Sequence, residues 1–178
     1  MKPTLLILAA GMASRYGSMK QTDGFGPNGE TIIDYSIYDA IKAGFGKVVF
    51  IIREEFADNF KAIFEPKLAG KIETDYVFQS YDLVPFGIDK VIDRAKPWGT
   101  AHAVLAARDA IKEPFCVINA DDFYGFDAYQ KMSNFLTTEV TDDCFSMIGY
   151  QIDRTLSDYG SVSRGVCLVD DNGNLSDI

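Results

Sequence analysis

The sequence predicts a three-layer α/β/α sandwich built on a mainly parallel, mixed sheet, and three observations carry that prediction. Apolar runs of strand length alternate with stretches of helical periodicity. Several of those runs are continuously apolar, as in strands covered on both faces. A turn signal near the end of the chain marks one antiparallel pair. Strand, helix, strand in this order implies right-handed crossovers and parallel neighbours, a Rossmann-like arrangement.

Residues 4–10 form the first apolar run, ending at Gly11, and a polar, glycine-rich stretch follows to residue 30. Ile32, Ile33, Tyr35, Ile37, Ala40 and Ile41 then recur at roughly helical spacing, with Gly44 as the stop. Residues 47–52 (KVVFII) read as the second strand, 54–68 as a helix with Pro66 near its end, and 71–79 as the third strand. The span 80–97 is a loop long enough to suggest function. Residues 98–111 read as a helix, 115–119 as the fourth strand and 127–136 as a helix. Two more strands are expected at 145–152 and 161–169, with Asp171-Asn172-Gly173 as a hairpin turn. No internal repeat interrupts the pattern, and residues 1–178 read as one domain.

Composition narrows the partners. A hydrophobic fraction of 47% with 24% charged residues suits an ordinary globular core. The net charge of −9 and pI near 4.5 argue against nucleic acid, whose phosphates select basic surfaces. A free nucleotide needs only a few cations, amides and a metal, which an acidic surface permits. Cys116, Cys144 and Cys167 have no ligand spacing and read as buried core thiols in a reduced, cytoplasmic setting. The first apolar run passes into Gly11 and Arg15 without a cleavage context, and no run is long enough to span a bilayer, so no membrane partner is expected.

In an open α/β sheet, ligands sit beyond the carboxyl ends of the strands. The first strand delivers Ala9, Ala10 and Gly11 there, small residues that let backbone approach a ligand. Successive amides in such a turn suit an anion, and Arg15 and Lys20 add a planar fork and a point charge. Neither the three-glycine dinucleotide fingerprint nor a Walker motif is present. A plain tight turn with two solvated cations fits the same residues.

The run Leu8-Ala9-Ala10-Gly11 with Arg15 and Lys20 resembles the signature of the nucleotidyltransferase superfamily, sugar-1-phosphate nucleotidyltransferases included. The resemblance implies a loop wrapped on a triphosphate, with Arg15 and Lys20 neutralising it. Ala13 and Ser14 stand where sugar nucleotidyltransferases usually carry Gly-Thr, and the short interval from Arg15 to Lys20 resembles the molybdenum-cofactor guanylyltransferases.

Gln79 closes the third strand, and its amide offers a donor and an acceptor to a base edge; alone it also reads as a polar strand-end residue. The segment Gly99-Thr100-Ala101-His102-Ala103 resembles the superfamily element that lies against base and ribose, with Thr100 either capping the helix or touching ligand. His102, the only histidine, reads as structural. Asp121 and Asp122 follow an apolar strand directly, which suits Mg²⁺, a hard cation held by one or two carboxylates plus phosphates. A helix N-cap aspartate with a solvated neighbour is the competing reading. By resemblance, Asp121 takes the ligand position and Asp122 is the second choice or an acid supporting it, while Tyr159 and Gly160 resemble the Tyr-Gly-x-Val element that lines the acceptor pocket; a plain turn before a strand fits those two residues equally well.

These parts imply a Mg²⁺-dependent enzyme that joins a nucleoside triphosphate to a phosphorylated small molecule, first a sugar 1-phosphate, and otherwise a phosphocholine or molybdenum-cofactor type acceptor. The resemblance extends from residue 5 to about 175, then stops before the lysine-bearing strand and later aspartate of the family. The chain is therefore expected to lack the C-terminal part of its domain, to bind nucleotide and to be weak or inactive as a catalyst. A nucleotide-sugar glycosyltransferase and a non-catalytic nucleotide sensor are the rival classes. Base, acceptor and self-association, including a homo-oligomer, are left open.

Overall fold

A computed structural model describes residues 1–10, 24–80 and 98–178 of the chain. By contact density the chain divides into two compact units, Met1–Phe145 and Ser146–Ile178. The first contains a four-stranded sheet of β1 (Thr4–Leu8), β2 (Lys47–Ile52), β3 (Glu73–Phe78) and β4 (Phe115–Asn119). The spatial order is β3-β2-β1-β4, and every pairing is parallel. Among the described residues three helices serve the crossovers, α1 (Ile32–Lys42), α2 (Ala57–Leu68) and α3 (Thr100–Ala106), and α4 (Phe126–Thr138) follows β4.

The two central strands, β1 and β2, are buried on both faces, as their sequences require, whereas the edge strand β4 leaves Phe115 and Val117 exposed. Leu5, Leu6, Ile7, Val48, Val49, Phe50 and Ile51 are all fully buried. On one face Phe50 packs edge-on to Phe60 and tilted against Phe64, both from α2, and stacks on Tyr76 of β3. On the other, Leu6, Val49 and Ile51 form one cluster with Ala103, Ala107 and Ile111. Helices therefore cover both faces.

The cap of α1 is written in its first four residues. Thr31 Oγ1 accepts from the Asp34 N–H while the Asp34 carboxylate accepts from the Thr31 N–H, a reciprocal box that satisfies two otherwise orphaned donors. The same carboxylate meets Lys67 Nζ at 2.7 Å, tying α1 to α2. Helix α2 is preceded by a short 3₁₀ turn, Glu54–Phe56, and carries Pro66 in its last turn.

The second unit departs from expectation. No strand forms over residues 145–151, and Ile152–Arg154 is a 3₁₀ turn. Of the expected strand at 161–169 only β5 (Leu168–Val169) is regular; it pairs antiparallel with β6 (Leu175–Asp177) across the predicted Asp171-Asn172-Gly173 turn. The antiparallel pair thus forms its own ribbon, and the main sheet is wholly parallel. A strand preference is realised only against a partner ladder, and Phe145, Met147, Tyr150 and Ile152 are all exposed. The cysteine reading also needs correction: Cys144 and Cys167 are exposed and only Cys116 is partly buried. No described helix is long and apolar enough to cross a membrane.

Phe64 is fully buried at the centre of the aromatic cluster. Phe64→Ala is expected to cost roughly 3–5 kcal/mol, seen as a lower urea midpoint, because the cavity cannot collapse onto a rigid sheet. Leu156→Ala, at an exposed position, should change stability by less than about 0.5 kcal/mol.

Candidate functional site

The parallel register brings the strand ends level. Leu8 lies opposite both Ile51 and Asn119, and Ile52 lies opposite Phe78. The ladder continues one residue further at each seam: Ala9 N–H donates to Ile51 O (2.9 Å), Gln79 N–H to Ile52 O (3.1 Å) and Ala120 N–H to Leu8 O (3.2 Å). Ala9, Gln79 and Ala120 therefore leave the sheet at one edge. Ala10 is buried in the cluster that includes Ala103 of α3, so the end of β1 passes beneath that helix. Gly11, Arg15 and Lys20 lie outside the described residues.

On the β3 side, Gln79 Nε2 donates to the Trp98 carbonyl at 3.1 Å and approaches His102 Nδ1 at 3.2 Å. His102 is buried, and the Trp98 ring tilts over it at 5.9 Å between centroids. Gln79 is thus bound directly to the residue before Gly99. Gly99 is the N-cap of α3, and Thr100 is the first helical residue with no side chain capping the helix, so the capping alternative for Thr100 falls away. Gly99 has φ of −66°, open to any residue, and a Cβ there would meet nothing among the described residues. Neither backbone nor packing within the described residues demands glycine at this position.

On the β4 side, Ala120 is buried and both Asp121 and Asp122 are exposed in the turn that follows the strand. The N-cap of α4 is Gly125, at φ +80°, so neither aspartate caps a helix. The two carboxylates have different surroundings. Asp122 Oδ2 accepts from Asn119 Nδ2 at 2.9 Å, and the Asn119 N–H donates to the Tyr124 hydroxyl at 3.0 Å. Asp121 has no hydrogen bond or ion pair among the described residues. No group of three or more metal-ligating side chains occurs among the described residues, but Mg²⁺ needs only one or two carboxylates when phosphates and water complete its shell.

The edge therefore unites Ala9, Ala10, Gln79, Gly99 and Thr100 with Ala120, Asp121 and Asp122. Tyr159, almost fully exposed, and Gly160 belong to the second unit. Sequence reasoning missed Asn119 and Tyr124 as the residues that hold Asp122, and it missed the bond between Gln79 and His102. The first had a signal, an amide at the strand end directly before the acidic pair. The second had none, since the partners are separated by a crossover.

A parallel sheet with helices on both faces, and with polar groups gathered beyond its carboxyl ends, is an open α/β fold, a class in which ligands sit at that edge. Within that class the chain belongs to the nucleotidyl transferase family, whose model matches residues 5–177. Among solved structures, a UDP-glucose pyrophosphorylase complexed with UDP-glucose is similar at 20% identity and TM-score 0.51, covering 78% of this chain and 54% of that one. A UDP-glucose pyrophosphorylase from Acinetobacter baumanii is similar at 16% identity and TM-score 0.51, over 78% of this chain and 54% of that one. The inositol-1-phosphate CTP transferase from T. maritima is similar at 17% identity and TM-score 0.52, over 81% and 51%. The chain spans about half the length of these structures, and at such identities the likeness establishes the fold. No curated protein matches the chain.

Cys116, on the strand that delivers the acidic pair, has its thiol pushed up to about 12 by burial. A raised thiol pKa leaves the neutral form in place below it, so at pH 8 only roughly 10⁻⁴ of the group is thiolate. Native protein treated with a thiol-specific reagent at pH 8 is expected to lose Cys144 and Cys167 quickly, with Cys116 reacting only after denaturation; peptide mapping by mass spectrometry reads the order.

Proposed function

We propose that this chain forms the nucleotide-binding part of a nucleotidyltransferase that moves a nucleoside monophosphate from a triphosphate to a sugar 1-phosphate and releases pyrophosphate. The observation that carries the reading is the shared edge: Gln79 beside Gly99 on one side of β1, and Asp121 on the other. From β3 to β4 is three strand spacings, about 14 Å at about 4.8 Å each. An extended nucleotide laid across the end of β1 would meet both, with base toward Gln79 and phosphates toward Asp121.

In this reading Gly99 lets the base plane approach backbone, which accounts for a glycine that the fold does not itself require, and Thr100 faces the ribose. Ala9, Ala10 and Gly11 bring amides to the phosphates. Arg15 and Lys20 supply positive charge, Arg15 toward the departing pyrophosphate and Lys20 toward the α-phosphate. The donor set at Asp121 fits Mg²⁺, because its hard oxygens are exposed and uncommitted among the described residues; Asp122 is the second ligand candidate. When bound, Mg²⁺ would supply charge neutralisation for the triphosphate. The acceptor's phosphate oxygen attacks the α-phosphorus in line, the bond to the bridging oxygen of the β-phosphate breaks, and pyrophosphate leaves with that electron pair. An anionic acceptor needs no base from the protein, so the work is positioning and electrostatics.

Tyr159 and Gly160 are assigned to the acceptor. The enzymes of similar fold are named for UDP-glucose and inositol 1-phosphate, which supports a polyol phosphate over a phosphocholine or cofactor acceptor. The glycine-containing turn with Arg15 and Lys20 suits a triphosphate, which favours a nucleotidyltransferase over a glycosyltransferase.

The test pairs binding with turnover. Each of the four triphosphates is titrated by calorimetry with Mg²⁺, then combined with a panel of sugar 1-phosphates, with pyrophosphate release as readout. Asp121→Ala and Lys20→Ala are expected to lower kcat/KM by about 10²-fold or more, the scale of losing one charge-stabilising group. In a longer chain that also carries the family's later lysine and aspartate, nucleotide binding without pyrophosphate from any acceptor would point to a sensor, and release of a nucleoside diphosphate from a nucleotide sugar would point to a glycosyltransferase.

A further inference from the structure

Buried histidines that touch no ligand still decide what a neighbouring side chain can offer. Gln79 Nε2 lies 3.1 Å from the Trp98 carbonyl and 3.2 Å from His102 Nδ1. A carbonyl only accepts, so the Gln79 atom facing Trp98 must be the amide nitrogen; the flipped amide would set two oxygens against each other. With nitrogen fixed there, its second N–H points at His102 Nδ1, which must present its lone pair. The histidine therefore carries its proton on Nε2. Both amide hydrogens are spoken for, and Oε1 is the one group Gln79 has left to offer.

We infer that His102 is a positioning residue that, with the Trp98 carbonyl, sets the polarity of the Gln79 amide and thereby the class of base the site takes. The inference rests on the proposed placement of the base against Gln79. With Oε1 set opposite the ring nitrogen of the base's pairing edge, the acceptor favours a base that carries a ring N–H there, as in uracil and guanine. It disfavours cytosine and adenine, whose ring nitrogen presents a lone pair there. Two acceptors facing each other in a partly buried site leave both unsatisfied, which is how a hydrogen-bonding site rejects a near-isostere. His102 is buried at 6% exposure under the Trp98 ring, so its effect on the base is exerted through Gln79.

The experiment measures Mg²⁺-dependent binding of UTP, GTP, CTP and ATP by calorimetry to the full chain and to three variants. Wild type is expected to prefer UTP or GTP over both CTP and ATP by at least about tenfold. His102→Leu keeps the bulk and removes the acceptor, frees one Gln79 N–H, and should cut that ratio to within about threefold. His102→Asn, which can place an oxygen where Nδ1 stood, should restore it. Gln79→Leu should remove the discrimination and make His102→Leu silent on top of it. A folding defect alone lowers binding of all four nucleotides together and leaves their ratio unchanged. An unchanged ratio in folded His102→Leu, or tightest wild-type binding of CTP or ATP, overturns the inference while leaving the site reading intact. If no nucleotide binds wild type at all, the site reading itself fails.

Discussion

The level ending of four parallel strands is the constraint on which the site depends. Because Leu8 pairs opposite both Ile51 and Asn119, the first residues past β1, β3 and β4 leave the sheet at one edge. A one-residue slip in a seam would exchange the two faces of a strand, setting Phe50 against the α3 side and Val49 and Ile51 against Phe60 and Phe64, so packing enforces that register. Fully buried Leu6, Val49 and Ile51 on one face, and Phe50 against Phe60 and Phe64 on the other, resist such a slip. Chemistry at the edge is thereby coupled to packing inside.

The two sides of that edge are organised differently. On the β3 side the polar groups are locked: Gln79 is held by a backbone carbonyl and a buried imidazole, so its orientation exists before any ligand arrives. On the β4 side one aspartate is tethered by Asn119 while its neighbour carries no bond among the described residues. In the proposed function, preorganisation at Gln79 suits recognition of a base, and an uncommitted carboxylate at Asp121 suits a cation.

Much of the first unit was legible in the sequence because β1, β2 and most of β4 are continuously apolar. The bounds of β2 and β4 follow directly from KVVFII and FCVIN, and α1 from its periodicity between Thr31 and Gly44. The second unit was not, since Gly149 and the polar run through Ser161, Ser163 and Arg164 leave scattered apolar residues without a paired strand, and periodicity cannot say whether a partner exists. The helix expected over 98–111 shortens to seven residues for a related reason, as residues after Ala106 turn to pack Ala107 and Ile111 into the core. At the site, residue types announced the acidic pair and the strand-end amide, whereas the contacts that orient them cross between elements and carry no sequence period. The cysteines show the same limit: an apolar neighbourhood placed Cys116 inside but left Cys144 and Cys167 at the surface.

The most direct test of the central claim is a crystal structure of the chain with Mg²⁺ and a bound nucleoside triphosphate. One ligand is expected to span the end of β1, with its base edge on Gln79 and a metal about 2.0–2.1 Å from an Asp121 oxygen. A nucleotide bound elsewhere, or one that meets Gln79 while its phosphates turn away from Asp121, would contradict it.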